Sequence, residues 1–216
     1  MSRKAWFYVV FFSVLCVVFY FVLTMIIPGY GRVKLPVLSY VKPFSFVNQE
    51  GKNITEREVD GKVYVAEFFF TTCQGICPKM NNNMRKVYEG YIKEPAFVIL
   101  SHTSDPETDN VLRLKQYADS MLVRPSNWWF LTGRKDSLYA AARESYLVDD
   151  PKNNTGNIHD QFLHTQFWAL VDKTGRVRKI YDGLKKDEVE RLQKDIALLL
   201  KEPRDQQRFV NNLFNN

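Results

Sequence analysis

The sequence predicts an α/β domain, a mixed sheet flanked by helices, behind a single long apolar helix. Three observations predict it. Runs rich in β-branched and aromatic residues alternate with segments whose apolar residues recur every three or four positions. After an N-terminal β-hairpin the segments follow the order β-α-β-α-β-α-β-β-α, and alternating βα units place helices on both faces of a sheet. Near the start of the chain run the 23 uncharged residues Ala5 to Ile27.

That opening segment is long enough to cross a hydrocarbon core of about 30 Å as a helix. Arg3 and Lys4 precede it, which holds the N-terminus in the cytoplasm and leaves the rest on the far side. Arg32 and Lys34 weaken the asymmetry. A cleaved signal would be shorter and end in small residues, whereas MIIPGYGR follows Thr24. Leu15 directly precedes Cys16, which argues against a lipoprotein signal, so Cys16 reads as an inert apolar residue of the helix. Residues 1–27 are thus expected to be a cytoplasmic N-terminus and single-pass inner-membrane anchor, with the soluble domain on the periplasmic, extracytoplasmic side.

Pro28, Gly29, Gly31 and Pro36 punctuate a linker over 28–42. The domain is expected over 43–201. FSFVNQEGKNITERE alternates around Glu50-Gly51 as a hairpin. Lys62 to Phe70 is a buried strand. Met80, Met84, Val87 and Tyr91 mark a helix after Cys77-Pro78. Ala96 to Thr103 is a second buried strand, Asp109 to Ser120 a helix, Trp128 to Leu131 a strand and Lys135 to Tyr146 a helix. Leu147 to Leu163 is a long unpatterned loop, and loops of that length are often functional. Thr165 to Val171 and Val177 to Tyr181 form a hairpin. Lys185 to Lys201 is amphipathic through Val189, Leu192, Ile196, Leu199 and Leu200, and 202–216 is a polar, flexible tail.

The net charge is +6 and the pI about 9.1. Basic and acidic residues are interleaved, with no block of five like charges, so nucleic acid is not an expected partner. Membrane headgroups or an acidic redox partner fit this balance better.

The chemistry centres on FFFTTCQGICPKM. A buried strand ends, and Cys73 and Cys77 bracket the turn into a helix. The carboxyl end of a strand is the usual functional edge of an α/β sheet. A helix N-terminus is expected to lower thiol pKa values, and Pro78 suits a first helical turn. Residues four apart on a helical turn stand about 6 Å apart, close enough for a disulfide or for two thiolates on one soft ion. A purely structural disulfide across so short a loop would add little stability. With no other cysteine in the domain, a four-thiolate zinc or iron–sulfur site within one chain is excluded.

A two-thiolate site calls for another donor, and imidazole suits copper. His164 opens the strand HTQFWALV after the long loop. His102 ends the second strand. His159, inside the loop, reads as a solvated residue. Spacing alone does not rank His164 against His102.

In their order and spacing these motifs resemble the SCO/SenC family, copper proteins of cytochrome c oxidase assembly, from Pro43 to Leu200. The resemblance rests on C-x-x-x-C-P at Cys73 to Pro78, on the S-x-D-P-x-x-D-like segment Ser101 to Asp109 with one extra residue before Asp105, on F-L-T-G at Phe130 to Gly133, and on His164-Thr165. It implies a thioredoxin-like fold and copper, Cu(I) or Cu(II), held by Cys73, Cys77 and His164. It also implies partnership with the copper-site subunit of cytochrome c oxidase or its assembly factors. Two departures stand out. Leu163 occupies a position where the family often has Asp, and His102 one that is usually apolar, leaving His102 open as an extra ligand. The resemblance leads to a metallochaperone that hands copper to a terminal oxidase. The alternative is a thiol–disulfide oxidoreductase, which needs only the redox-active pair Cys73 and Cys77 and would keep partner cysteines reduced. Peroxidase activity has no further support in the sequence.

Overall fold

Arg3–Ile26 forms helix α1 in the computed structural model, which describes residues 2–26, 35–124, 126–153, 156–158 and 161–204. The chain divides into two compact units, Met1–Leu35 and Pro36–Asn216. In the first, Arg3–Leu23 is long and apolar enough to cross a membrane. Large apolar side chains are exposed along it from Trp6 to Val22, which fits a candidate membrane span. The Ser13 hydroxyl donates to the Val9 carbonyl at 2.8 Å, so it brings no unpaired donor into that surface.

The second unit is built on one eight-stranded sheet. Its strands are β1 (Ser39–Tyr40), β2 (Ser45–Asn48), β3 (Asn53–Thr55), β4 (Val63–Phe69), β5 (Phe97–Thr103), β6 (Trp128–Thr132), β7 (Phe167–Val171) and β8 (Arg176–Asp182). The spatial order is β1-β8-β7-β4-β5-β6-β2-β3. β4, β5 and β6 run parallel, and the flanking pairs are antiparallel, which makes the sheet mixed, as expected. Every residue of β4 and β5 is buried, because central strands in a sheet covered on both faces have no wet side.

Successive side chains alternate between those faces. On one face Tyr64, Ala66, Phe68, Val98, Leu100, Leu131 and Ala169 pack against Leu138, Tyr139, Ala142 and Tyr146. The covering residues come from α4 (Lys135–Ala140) and the π-helical turn Ala141–Ser145 that continues it. The other face carries Val65, Glu67, Phe69, Ser101 and Phe130. There Tyr88 of α2 (Cys77–Tyr91) lies against Trp128 at 5.5 Å, and Tyr117 of α3 (Val111–Ser120) lies on Phe69 at 5.3 Å. α5 (Lys186–Lys201) contacts α2, β4 and β8 and completes this layer.

Two elements differ from the sequence expectation. Ser39–Tyr40, within the expected linker, forms an edge strand on β8, held by backbone bonds from Leu38 to Val177 and from Val41 to Gly175, both 2.8 Å. The expected helix Lys135–Tyr146 is α-helical only to Ala140. Residues 28–34 of the linker and 205–216 of the tail lie outside the described residues.

Where β8 leaves the sheet, a Cβ on Gly183 would overlap the Trp168 indole, and Asn83 Nδ2 of α2 donates to the Gly183 carbonyl at 2.8 Å. The prediction is that Gly183→Ala overpacks this corner and costs about 1–3 kcal/mol, read by denaturant unfolding of the full chain in detergent. Wild-type stability would show that the corner yields.

Candidate metal centre

The centre starts where β4 runs out. After Phe69 the chain turns through Phe70 to Thr72, and Cys73 N–H donates to the Phe70 carbonyl at 3.2 Å. Helix α2 begins at Cys77 with Pro78 in its first turn. The entry to the turn is held by a buried carboxylate. Asp109 accepts from Thr71 N–H at 3.1 Å, from the Thr71 hydroxyl, and from the Thr103 hydroxyl at 2.6 Å. Arg113 Nε donates to Thr71 Oγ1 at 2.6 Å. Asp109 belongs to the segment that carried the family resemblance, but its anchoring role appears only once the fold brings it to Thr71.

Cys73 is half-buried and Cys77 buried, and both are free thiols. They share a hydrogen bond. Burial first, and then that bond, push the Cys77 thiol up to about 12, against a backbone hydrogen bond from Phe70 that works the other way. The expected lowering by the helix N-terminus therefore does not hold for Cys77. Burial, which disfavours the thiolate, is the largest influence on it.

Beneath the pair lies a residue that sequence reasoning passed over. Glu67 is fully buried on the face covered by α2. Trp128 Nε1–H donates to Ser101 Oγ at 2.7 Å, and the Ser101 hydroxyl donates to Glu67 Oε1 at 2.5 Å. Glu67 Oε2 has no partner among the described residues. Burial pushes this carboxyl up to about 7. A usable signal was present: a carboxylate inside the otherwise apolar run VYVAEFFF.

The three histidines separate. His102 is fully buried on the opposite face of β5 from Ser101. Its ring stacks on Phe68 at 5.0 Å and meets Tyr146 at 5.3 Å and Phe46 at 5.4 Å. Burial pulls its pKa down to about 4. As a possible extra ligand His102 is thus corrected to a neutral core residue, because strand alternation turns it away from α2. His159 lies outside the described residues. His164 is exposed, and its ring centre stands 6.1 Å from that of Phe70. The same Phe70 ring meets Phe162 edge-on at 4.9 Å. Phe70 thus touches both cysteines through its backbone and faces His164 with its ring. Among the described residues no three His, Cys, Asp or Glu side chains are grouped closely enough to hold an ion. The cysteines are brought together, and the imidazole stands across Phe70 from them. Leu163, the residue before His164, is buried in the core and has no ionisable group to offer the imidazole. Cys16 sits in α1, in the other unit.

A family model described as SCO1/SenC matches residues 35–201. The SCO1 protein homolog of Bacillus subtilis (strain 168) is 35% identical over 160 residues, 72% of this chain and 80% of that protein. The solved structure of BsSco, described as a member of the Sco family of cytochrome c oxidase assembly proteins with a disulfide switch, is 31% identical with a TM-score of 0.62, covering 77% of this chain and 99% of that one. Bradyrhizobium japonicum ScoI, solved with copper bound, has a TM-score of 0.59 over 75% of this chain and 100% of that one; at 22% identity the likeness is one of fold.

Glu67 and His102 pull the pH dependence of stability in opposite directions. Glu67 is accepted by the fold when protonated, so its contribution is full in acid and is lost as pH rises from 4.5 to about 7. His102 is accepted when neutral, so its contribution is full above 6.5 and is lost as pH falls to about 4. Between pH 4.5 and 6.5 the two oppose. Relative to wild type, Glu67→Gln should therefore lose stability on acidification across this window, by on the order of 3 kcal/mol, and His102→Leu should lose it as pH rises. Denaturant unfolding at a series of pH values reads both slopes, and variants that track the wild-type curve would refute the account.

Proposed function

The chain belongs to the SCO1/SenC family, and from that premise we propose that it is a membrane-anchored copper metallochaperone. Its cargo is bound by Cys73 and Cys77, with His164, which stands apart from them in this structure, joining as the third ligand on loading, and is passed to the copper-site subunit of a cytochrome c oxidase or its assembly factors. The observation that carries this reading is the pair of free thiols in mutual contact at the end of β4, with the exposed His164 across Phe70. Two thiolates suit Cu(I), and an added imidazole suits copper in either state. ScoI of B. japonicum binds copper in the same fold, and BsSco is described as an oxidase assembly protein. The apolar α1 supports residues 1–27 as the anchor, and Arg3 and Lys4 favour an extracytoplasmic position for the copper domain, 43–201.

The residues also supply a means of release. With its pKa near 12, Cys77 is a thiol before loading, so copper displaces its proton, and binding tightens as pH rises. The exposure of His164 and the partial exposure of Cys73 leave the ion open to ligand exchange with a partner.

A second reading, a thiol–disulfide oxidoreductase, is favoured by the contact between the two sulfurs and by the disulfide switch in BsSco. Cys73, the more exposed sulfur, would then meet the partner disulfide. Oxidation of the pair removes both thiolates, so the oxidised form cannot carry copper through them.

Copper titration of the reduced full chain in detergent separates the readings. Cys77→Ser is expected to weaken Cu(I) binding about 100-fold or more, and His164→Ala to weaken Cu(II) binding about 10- to 100-fold while affecting Cu(I) less. Wild-type affinity in both variants would sink the ligand assignment. Reduction of a disulfide peptide should survive His164→Ala if the second activity exists, and requires both cysteines.

A further inference from the structure

We infer that Tyr139 is the positioning residue of the centre, because its single hydroxyl ties the loop that carries His164 to the segment that carries the cysteines. The inference rests on His164 being a ligand.

Tyr139 is buried on the face of the sheet away from α2. Its hydroxyl accepts from Leu163 N–H at 3.0 Å, one residue before His164. It lies 2.9 Å from the Ser104 carbonyl and 3.3 Å from the Gln161 carbonyl, so its one proton favours Ser104. Ser104 in turn donates through its N–H at 2.8 Å and its hydroxyl at 3.1 Å to the Phe69 carbonyl, one residue before Phe70. The route from the imidazole to the cysteine turn is thus Leu163, Tyr139, Ser104 and Phe69, hydrogen-bonded at each step.

Further contacts surround this hydroxyl and the residues next to His164. Arg143, on the π-helical turn, sits over the Tyr139 ring at 5.4 Å and donates to Gln161 Oε1 at 2.8 Å and to Asp149 at 2.7 Å. The Leu163 side chain is sunk in the core, and beyond His164 the Thr165 hydroxyl donates to the Val148 carbonyl at 2.7 Å. Groups on both sides of His164 are therefore fixed by residues that touch no metal, while its own ring stays exposed. Hydrogen-bonded neighbours that orient a ligand typically govern metal affinity by 10- to 100-fold. Cu(I) is satisfied by two thiolates, whereas Cu(II) gains more from the imidazole. The hydroxyl should therefore matter for the oxidised ion and little for the reduced one.

The test is Tyr139→Phe in the full chain in detergent, alone and combined with His164→Ala. The ring and its packing remain, and a cooperative thermal transition confirms that each variant is folded. The expected result is Cu(II) binding weakened about tenfold, altered imidazole nitrogen coupling in the electron paramagnetic resonance spectrum, and Cu(I) affinity within about threefold of wild type. In the His164→Ala background the same change should have no further effect on Cu(II). An unaltered Cu(II) affinity and spectrum in Tyr139→Phe overturns the positioning role while His164→Ala still shows its own loss. An equal loss in both backgrounds overturns it too, since the hydroxyl would then act through something other than His164. If His164→Ala alone binds Cu(II) as wild type does, the ligand assignment has failed and the positioning role falls with it.

Discussion

Every residue of β4 is buried, and this constraint governs what the centre can use. A strand covered on both faces offers its polar groups no solvent, so each must be paired, neutralised or placed beyond the strand's end. Glu67 lies inside the strand, bonded through one oxygen to Ser101, with its ionisation held back to about pH 7. Cys73 and Cys77 come after Phe69, where the chain leaves the sheet, and there Cys73 is only half-buried. Asp109 makes that exit a defined turn by binding Thr71 and Thr103 together.

The same two-sided burial explains what could be read from the residues in advance. Long periodic segments were legible: the apolar opening helix, the strands around the cysteine turn and the amphipathic α5 all lie where their patterns place them. So was the cysteine pair, because two sulfurs bracketing a strand-to-helix turn are a local feature. The mixed sheet with helices on both faces is the thioredoxin-like arrangement of the Sco structures. β1 was not legible, since a two-residue edge strand is made by backbone bonds to β8 and leaves no compositional trace.

The histidines show the limit most clearly. AFVILSHT is apolar along both faces, so nothing local says which way His102 points. Its neighbours decide: Phe68, Tyr146 and Phe46 close round it on the side away from α2. Leu163 is a comparable case. Leu163, next to His164 in sequence, is a core anchor, and its backbone N–H is bound by the Tyr139 hydroxyl. Tyr139 and Arg143 lie 24 and 18 positions from their partners Leu163 and Gln161, a separation that only the folded chain bridges.

The hydrogen-bonded chain from Trp128 through Ser101 to Glu67 has a further consequence. An indole N–H bound through one hydroxyl to a carboxyl feels the field of that carboxyl, and its excited state shifts when the charge appears or disappears. Trp128 is fully buried, so bulk solvent contributes little to its emission. Of the four tryptophans, Trp128 is thus the one coupled through Ser101 to the Glu67 carboxyl, and its share of the emission should respond to the charge of that group.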